Sequence, residues 1–154
     1  MNISEAERLS RDLVDITEIA IVTTIDQEGF PQSRAMFNLR NQELFPDLTD
    51  CFADDLLLCF TTNTSSSKVS HIKNNKKTSV YFCRPGDWRG LNLSGTMSVS
   101  DDPELKQRLW QENWTMYYPG GFSDPDYSVL IFQPCSAAYY HQLEYLKWST
   151  KEAE

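Results

Sequence analysis

Short runs of β-branched and aromatic residues, separated by turn residues, are the feature that most limits how this chain can fold. Residues 20–25 form one such run, and residues 30–39 follow it with alternating apolar and polar side chains. Residues 26–29 lie between the two runs and end in Gly29, which can adopt the positive φ that tight turns require. This arrangement predicts a β-hairpin close to the start of the chain.

The same pattern recurs along the chain and predicts a mostly antiparallel sheet. Further strands are predicted at residues 56–62, 78–84, 91–100, 128–132 and 137–141. Helices are predicted at residues 4–18, 65–75 and 102–114, the first with a capping box from Ser4 to Glu7. Strands and helices do not alternate regularly, so the class is α+β, mainly β, with a sheet that could close into a barrel. We expect a single domain over residues 1–154, with a barrel over about residues 19–142 and a loosely ordered tail from about residue 143.

One long connection, residues 40–55, stands out between the predicted strands. It carries five carboxylates, at Glu43, Asp47, Asp50, Asp54 and Asp55, together with several apolar side chains. The apolar residues indicate that it packs against the domain. Connections of this length are often functional or lie at an interface.

Charge and composition exclude several classes of function. The net charge of −8 would repel a phosphate backbone, so nucleic acid is not an expected partner. No apolar run approaches the length of a membrane span, and the first residues lack the pattern of a signal peptide, so we expect a cytoplasmic protein. The four cysteines form no CxxC pair and there are only two histidines, which argues against a metal site. Cys59 and Cys83 lie in apolar runs and are predicted to be buried thiols.

Residues 60–68 combine an apolar strand, a polar turn and a predicted helix start. Free N–H groups and the positive dipole end at such a start favour an oxyanion. Thr62, Ser66 and Ser67 add hydroxyl donors, and Lys68 adds a positive charge. An ordinary serine-rich helix cap with a solvated lysine explains the same residues equally well.

Arg34 is the second candidate for anion binding. Strand alternation places Arg34 and Met36 on one face, with Ala35 and Phe37 on the other. An arginine among apolar strand residues is costly to bury unless it meets an anion, although it could equally pair with a nearby carboxylate. If Arg34 and Lys68 converge, they form a two-cation cradle for a phosphate.

No catalytic constellation is visible, and catalytic residues stay unassigned. There is no GxSxG and no HExxH stretch. His71 is predicted on the surface of a short helix and His141 in the last strand, and both are expected to be structural. Four Trp and seven Tyr could stack on a flat cofactor ring, but most are expected in core or dimer contacts.

Taken together, the stretch from Phe60 to Lys68, the helix after it and the strand at residues 78–82 resemble the pyridoxamine 5′-phosphate oxidase superfamily. Arg34-Ala35-Met36 lies one strand earlier, as the arginine strand of that family does. The bacterial general stress protein branch is the most similar, through Leu109-Trp110 and through residues 118–121 and 124–127. The similarity extends over about residues 18–142.

The resemblance implies a six-stranded antiparallel split β-barrel with peripheral helices, and a homodimer with FMN in a cleft between the subunits. Carried over to this chain, the cofactor-binding positions are Arg34, Met36, Phe37, Thr61, Thr62, Ser66, Ser67 and Lys68. The cations and serines would hold the phosphate. The threonines would lie beside the flavin, and Met36 and Phe37 would run along its ring.

Three departures from the family pattern limit what the resemblance implies. Ser67 stands where the family usually has arginine, so the phosphate would be held with one charge fewer. Gly90 takes the place of a glutamine found in the true oxidases, and no arginine follows Arg108, so their C-terminal Arg-x-His stretch is absent. The resemblance therefore does not extend to vitamin B6 oxidase activity.

The predicted function is that of an FMN-binding flavoprotein with oxidoreductase potential, acting on a small molecule that the sequence does not identify. A non-enzymatic flavin carrier or stress-related sensor fits the same residues. The Ser67 replacement also supports a flavin-free dimeric interaction module. Haem and deazaflavin rank lower, because two histidines offer few axial ligands and a charged deazaflavin tail needs more basic residues.

Overall fold

The computed structural model of the chain describes residues 1–52 and 56–150. In this part, one antiparallel sheet carries the fold. Its strands are β1 (Ile19–Ile25), β2 (Pro31–Phe37), β3 (Leu58–Asn63), β4 (Lys77–Arg84), β5 (Arg89–Ser100), β6 (Tyr127–His141) and β7 (Glu144–Ser149). The helices are α1 (Ile3–Ile16), α2 (Ser67–Asn74) and α3 (Pro103–Leu109). None of the described helices is both long and apolar enough to cross a membrane.

Six of the strands follow the order β2-β1-β4-β5-β6-β3 and curl into a half-barrel. The predicted antiparallel split barrel with peripheral helices is thereby confirmed. The hairpin of β1 and β2 is also confirmed, with Ile19 opposite Phe37, Ile25 opposite Pro31, and Gly29 at a φ of 85°. Strand alternation fills the inside of the barrel with apolar side chains that include Val22, Val80, Phe82, Leu93 and Phe132.

The alternation also corrects one expectation about the cysteines. Cys59 is buried as predicted, but Cys83 is only half-buried. In β4 the side chains of Val80 and Phe82 point into the core, so Cys83, next along the strand, faces outward.

The two last strands predicted at residues 128–132 and 137–141 are one continuous strand, β6. Pro134 lies within this strand, although a proline cannot donate a hydrogen bond within a ladder. The structure accommodates it at a β-bulge against β5, where the register shifts between Ser94 and Gly95. Pro134 also lies between the β6 residues that pair with β3, ending at Phe132, and those that pair with β7, beginning at Ser136.

The tail that was expected to be loose from residue 143 is ordered as far as the structure describes it. Residues Glu144–Ser149 pair with the second half of β6 as β7. Trp148 opposes Ala137 and is only 6% exposed in the main core, which explains why this strand adheres to the sheet. Residues 151–154 lie outside the described part.

The helix ends differ from the predicted ones for local reasons. Asn2, not Ser4, caps α1, because its side chain accepts a hydrogen bond from the Glu5 N–H. The predicted helix at residues 102–114 stops as α3 at Leu109, and a 3-10 turn follows at Glu112–Met116.

The long connection at residues 40–52 packs down through its apolar side chains, as expected. Phe45 and Leu48 are buried in a second cluster on the outside of β3 and β6, which also contains Trp114, Tyr118 and Tyr127. Asp54 and Asp55 lie outside the described residues.

Candidate functional site

The two strands at the ends of the sheet order, β2 and β3, line the same cleft of about 390 Å³. β2 contributes residues 34–37, β3 contributes Thr61, Thr62 and Asn63, and α2 contributes Lys68. The open seam of the half-barrel therefore brings together segments that are about 30 residues apart in sequence. Six of the eight predicted cofactor-binding residues line it: Arg34, Met36, Phe37, Thr61, Thr62 and Lys68.

Arg34 is held from behind by β1. Its Nη1 donates to Thr24 Oγ1 at 2.7 Å and to the Val22 carbonyl at 3.3 Å. Burial lowers the pKa of Arg34, because a partly desolvated guanidinium loses hydration. The guanidinium keeps further N–H donors free for a ligand in the cleft.

Lys68 lies in the first turn of α2 and reaches the end of β3. Its Nζ donates to Thr62 Oγ1 at 2.8 Å. The pKa of Lys68 is lowered, first by burial and then by the positive charge of Arg34. The two cations therefore converge on one cleft, which meets the condition under which the sequence predicted a two-cation cradle.

No described carboxylate lies within 4.0 Å of Arg34 or Lys68. The alternative of an edge arginine paired with a carboxylate thus finds no support in this part of the chain. The arrangement leaves two partly buried positive charges without a counter-charge, and an anion in the cleft would supply one.

The two serines of the predicted site lie next to the cleft but do not line it. Ser66 is the N-cap residue of α2, yet its side chain makes no capping hydrogen bond. Its Oγ is buried and has no partner in the described structure. Ser67 is exposed at the first helical position. Because α2 begins here, the first N–H groups of the helix also lack intrahelical acceptors.

An aromatic wall, formed by Trp114, Tyr117 and Tyr118, completes the cleft. These residues come from the 3-10 turn after α3 and the residues that follow it. The Tyr117 and Tyr118 rings are 6.4 Å apart, and Phe45 links Phe37 to Trp114 by ring contacts of 6.2 and 6.3 Å. The pKa of Tyr118 is raised, first by burial and then by Asp126 and Asp124. Sequence reasoning left these aromatics unassigned, although the similarity around residues 109–121 pointed to this segment.

Two further residues at the back of the site were missed. Thr24 is buried in β1 and carries the hydrogen bond from Arg34. His71, expected to be a surface residue, is half-buried, and its Nδ1 lies 3.0 Å from the same Thr24 Oγ1. No local pattern predicts this contact, because Thr24 and His71 belong to different elements 47 residues apart.

The cleft contains no evident catalytic acid, base or nucleophile beyond its two cations and two tyrosines. Among the described residues, no group of three or more His, Cys, Asp or Glu could hold a metal ion. The arrangement is suited to binding an anion at one place and a flat apolar group beside it.

Solved structures of similar fold include proteins named for general stress and cofactor binding. A protein from Clostridium acetobutylicum, related to general stress protein 26 of Bacillus subtilis and named a member of the pyridoxinephosphate oxidase family, is 29% identical. The match covers 96% of each chain with a TM-score of 0.79. An FMN-binding, pyridoxamine 5′-phosphate oxidase-related protein from Nostoc punctiforme is 18% identical, with 97% of this chain and 95% of that chain covered and a TM-score of 0.59. A haem-binding protein from Mycobacterium smegmatis is 12% identical, with 94% of this chain and 58% of that chain covered and a TM-score of 0.68.

The last two likenesses show a shared fold alone. Among curated proteins, none matches the chain. The family described as pyridoxamine 5′-phosphate oxidase like matches residues 5–150, which include the whole sheet and both sides of the cleft. The resemblance seen in the sequence is thereby confirmed, and the chain belongs to the pyridoxamine 5′-phosphate oxidase-like family.

Proposed function

We propose that this protein is an FMN-binding flavoprotein with oxidoreductase function, and that Arg34 and Lys68 hold the cofactor phosphate. The observation that carries the proposal is a pair of partly buried cations in one cleft, neither of which pairs with a carboxylate of residues 1–52 or 56–150. Holding such charges away from water is costly unless an anion compensates them. A phosphomonoester carries nearly two negative charges at neutral pH and three acceptor oxygens, which matches two cationic donors.

The rest of the cleft fits the ring of a flavin. Its volume falls within the usual range for cofactor sites. Met36 and Phe37 of β2 contribute apolar surface to the lining of the cleft, and Thr61 of β3 contributes a hydroxyl. The name of the similar Nostoc punctiforme protein, which binds FMN, supports the same cofactor.

The start of α2 would bind the phosphate more weakly than a site that has the arginine usual in the family. The Oγ of Ser66 is buried and unpartnered beside the cleft, and it would have to turn toward the cleft to donate to an oxyanion there. Ser67 offers a hydroxyl where an arginine would add a charge, and its side chain is exposed. We therefore expect FMN to bind here with lower affinity than a three-cation site would give.

We further propose that two copies of the chain form a homodimer around the cleft. Several apolar side chains near it are exposed in the single chain, including Phe37 at 53%, Met116 at 73% and Tyr117 at 54%. Contiguous apolar exposure of this kind is typical of interaction surfaces. A second copy would cover these residues and close the flavin site from solvent.

The bound flavin would supply the redox chemistry, because its ring accepts and releases electrons. The residues of this chain would anchor the phosphate, orient the ring and exclude water. The proposal assigns no protein acid or base, and a carrier or sensor that binds FMN without turnover remains the alternative form of the same site.

The proposed activity is not vitamin B6 oxidation. Gly90 stands where the true oxidases have glutamine, and a Cβ at this position would collide with the Tyr140 ring. Tyr140 is itself held by a 2.7 Å hydrogen bond to the Tyr81 hydroxyl. The space for a longer side chain at position 90 is therefore already filled.

Haem receives less support from the site than FMN. The chain has two histidines, His71 and His141, and neither lines the cleft. A haem at this place would need a different axial ligand.

We place the protein in the cytoplasm as part of the same proposal. All four cysteines, Cys51, Cys59, Cys83 and Cys135, are unpaired. Free thiols are typical of reducing compartments. Cell fractionation with an antibody tests this, and a secreted pool would contradict it.

The test is an absorbance scan of the purified protein, followed by titration of the flavin-free protein with FMN and, separately, with riboflavin. We expect saturation at about one FMN per chain and weaker binding of riboflavin, which lacks the phosphate. An Arg34→Ala, Lys68→Ala double variant should lose this preference, while an Arg8→Ala, Lys73→Met control should keep it, since these side chains are exposed on α1 and α2. No saturable binding, or equal affinity for both ligands in the wild type, would reject the phosphate site. Turnover with reduced nicotinamide cofactors then separates the enzyme from the carrier.

A further inference from the structure

The hydroxyl of Thr24 connects the proposed phosphate site to the far side of α2. Thr24 is fully buried in β1. Its Oγ1 lies 2.7 Å from Arg34 Nη1 and 3.0 Å from His71 Nδ1. Neither Thr24 nor His71 lines the cleft, so the hydrogen bonds of His71 reach a ligand only through Thr24 and Arg34.

The direction of these two hydrogen bonds follows from the chemistry of the groups. A guanidinium only donates, so Thr24 Oγ1 accepts from Arg34. The hydroxyl has one proton to give, and His71 Nδ1 is the other partner of this oxygen within the described residues. The hydroxyl oxygen has a second lone pair and could also accept from Nδ1, but its own buried proton would then have no acceptor. The arrangement that pairs every group has Thr24 donating to Nδ1 of a neutral imidazole with its proton on Nε2.

We propose that neutral His71 is a positioning residue that fixes Arg34 through Thr24, and that protonation of His71 weakens the grip of the site on phosphate. The inference rests on the proposed function of the cleft. It adds a proton-linked control of the proposed phosphate site.

Two physical effects of opposite sign act when His71 takes up a proton. Nδ1 becomes a donor, so the buried Thr24 hydroxyl proton loses its acceptor and the support behind Arg34 is lost. The imidazolium also adds a positive charge, which attracts a bound phosphate through space. The proposal is that the lost support of Arg34 outweighs this attraction, because Arg34 would contact the phosphate directly and His71 does not line the cleft.

The other charged groups around His71 are few. Asp26, in the turn between β1 and β2, has a lowered pKa, chiefly through hydrogen bonds from Gln32 and the Phe30 N–H and least through His71. This carboxylate is partly exposed to solvent. Lys68 precedes His71 by one helical turn on α2. β5, which also packs on α2, carries only one charged residue, Arg89, at its first position.

The test compares FMN and riboflavin affinities of the wild type with those of His71→Gln and His71→Ala. Histidine titrates between roughly pH 5 and 8, so this range is covered. At the upper end, we expect His71→Gln to match the wild type, because its amide oxygen can accept from Thr24. His71→Ala should bind FMN about three- to tenfold more weakly, as expected for a lost hydrogen bond, with riboflavin affinity unchanged in both variants. His141→Gln is the matched control, since this second histidine does not line the cleft.

The pH profile gives the decisive readout. The phosphate of FMN changes its own charge near about pH 6, but this affects every variant alike and cancels in a ratio. We expect the FMN affinity of the wild type, divided by that of His71→Gln, to fall about threefold as His71 becomes protonated. A constant ratio, or one that rises at low pH, overturns the role of His71 while leaving the phosphate site intact. Failure of the wild type to bind FMN at any pH overturns the proposed function, and this inference with it.

Discussion

Replacing Lys68 by methionine removes one charge from the cleft and keeps most of the aliphatic side chain. In the free protein this charge is held at a cost, since the pKa of Lys68 is lowered first by burial and then by Arg34. A bound phosphate would recover that cost. The substitution is therefore expected to weaken FMN binding without a comparable loss of folding stability.

The magnitude follows from the hydrogen bond that Lys68 would make to the phosphate. A hydrogen bond involving a charged group contributes about 1.5–3 kcal/mol. Since each 1.36 kcal/mol corresponds to a factor of about ten, the Kd for FMN should rise by about 10- to 150-fold. Riboflavin has no phosphate, so its Kd should stay within about twofold of the wild-type value.

The stability of the free protein should respond differently. The variant loses the 2.8 Å bond from Nζ to Thr62 Oγ1, but it also loses the repulsion with Arg34. We expect the free energy of unfolding at neutral pH to change by less than about 1 kcal/mol. The folded-state pKa of Lys68 lies below its unfolded value, so the unfolded state binds more protons between the two values. Wild-type stability should thus rise relative to the variant as pH climbs through the lowered pKa toward the ordinary value for lysine.

Flavin fluorescence titration and urea unfolding at several pH values measure both quantities. Lys73→Met is the matched control, because it removes an equal charge from an exposed position on α2. If FMN and riboflavin affinities fall equally, Lys68 acts on the ring or on the fold and the phosphate assignment is wrong. If Lys73→Met lowers the FMN affinity as strongly, the affinity depends on the overall positive charge of α2 and not on a specific contact of Lys68.

Three further predictions concern positions outside the two cations. Ser67→Arg, which introduces the arginine usual in the family at an exposed position, should raise the affinity for FMN by about two- to fivefold, whereas Ser70→Arg on the same helix should not. Equal gains in affinity would mean that only the net charge matters. Trp148→Ala should lower the free energy of unfolding, measured in urea, by about 3–5 kcal/mol because it empties a buried site in β7, whereas Leu143→Ala at an exposed position should change it by less than about 0.5 kcal/mol. A small effect of Trp148→Ala would mean that β7 contributes little to the core. The pKa of Cys59 is raised to about 11, first by burial and then by Cys51, so iodoacetamide at pH 8 should label half-buried Cys135 well before Cys59. Peptide mass spectrometry follows the labelling, and equal rates at the two cysteines would contradict the burial of Cys59.

Local patterns in the sequence predicted the elements of the fold and misjudged where some of them end. The hairpin around Gly29 and the inward-facing residues of β4 follow from alternation and turn chemistry, which act over a few residues. The strands predicted at residues 128–132 and 137–141 are one strand, because the bulge against β5 and the change of partner along β6 accommodate Pro134 between them. β7 was missed because its strand character depends on Trp148 reaching the core, a contact between distant parts of the chain.

The sequence by itself determined the class of fold and the family, and it identified the two cations of the proposed anion site. Arg34 and Lys68 were recognisable because each is a cation whose sequence neighbours favour an anion. Backbone periodicity also predicts which face of its strand Arg34 occupies and in which turn of its helix Lys68 lies. Only the tertiary structure decided that β2 and β3 meet across one seam, that Trp114 and Tyr118 close it, and that Thr24 joins His71 to Arg34. The physical reason is that periodicity records which way a residue faces within its own element. Convergence of separate elements depends on the curl of the sheet and on pairings between residues tens of positions apart.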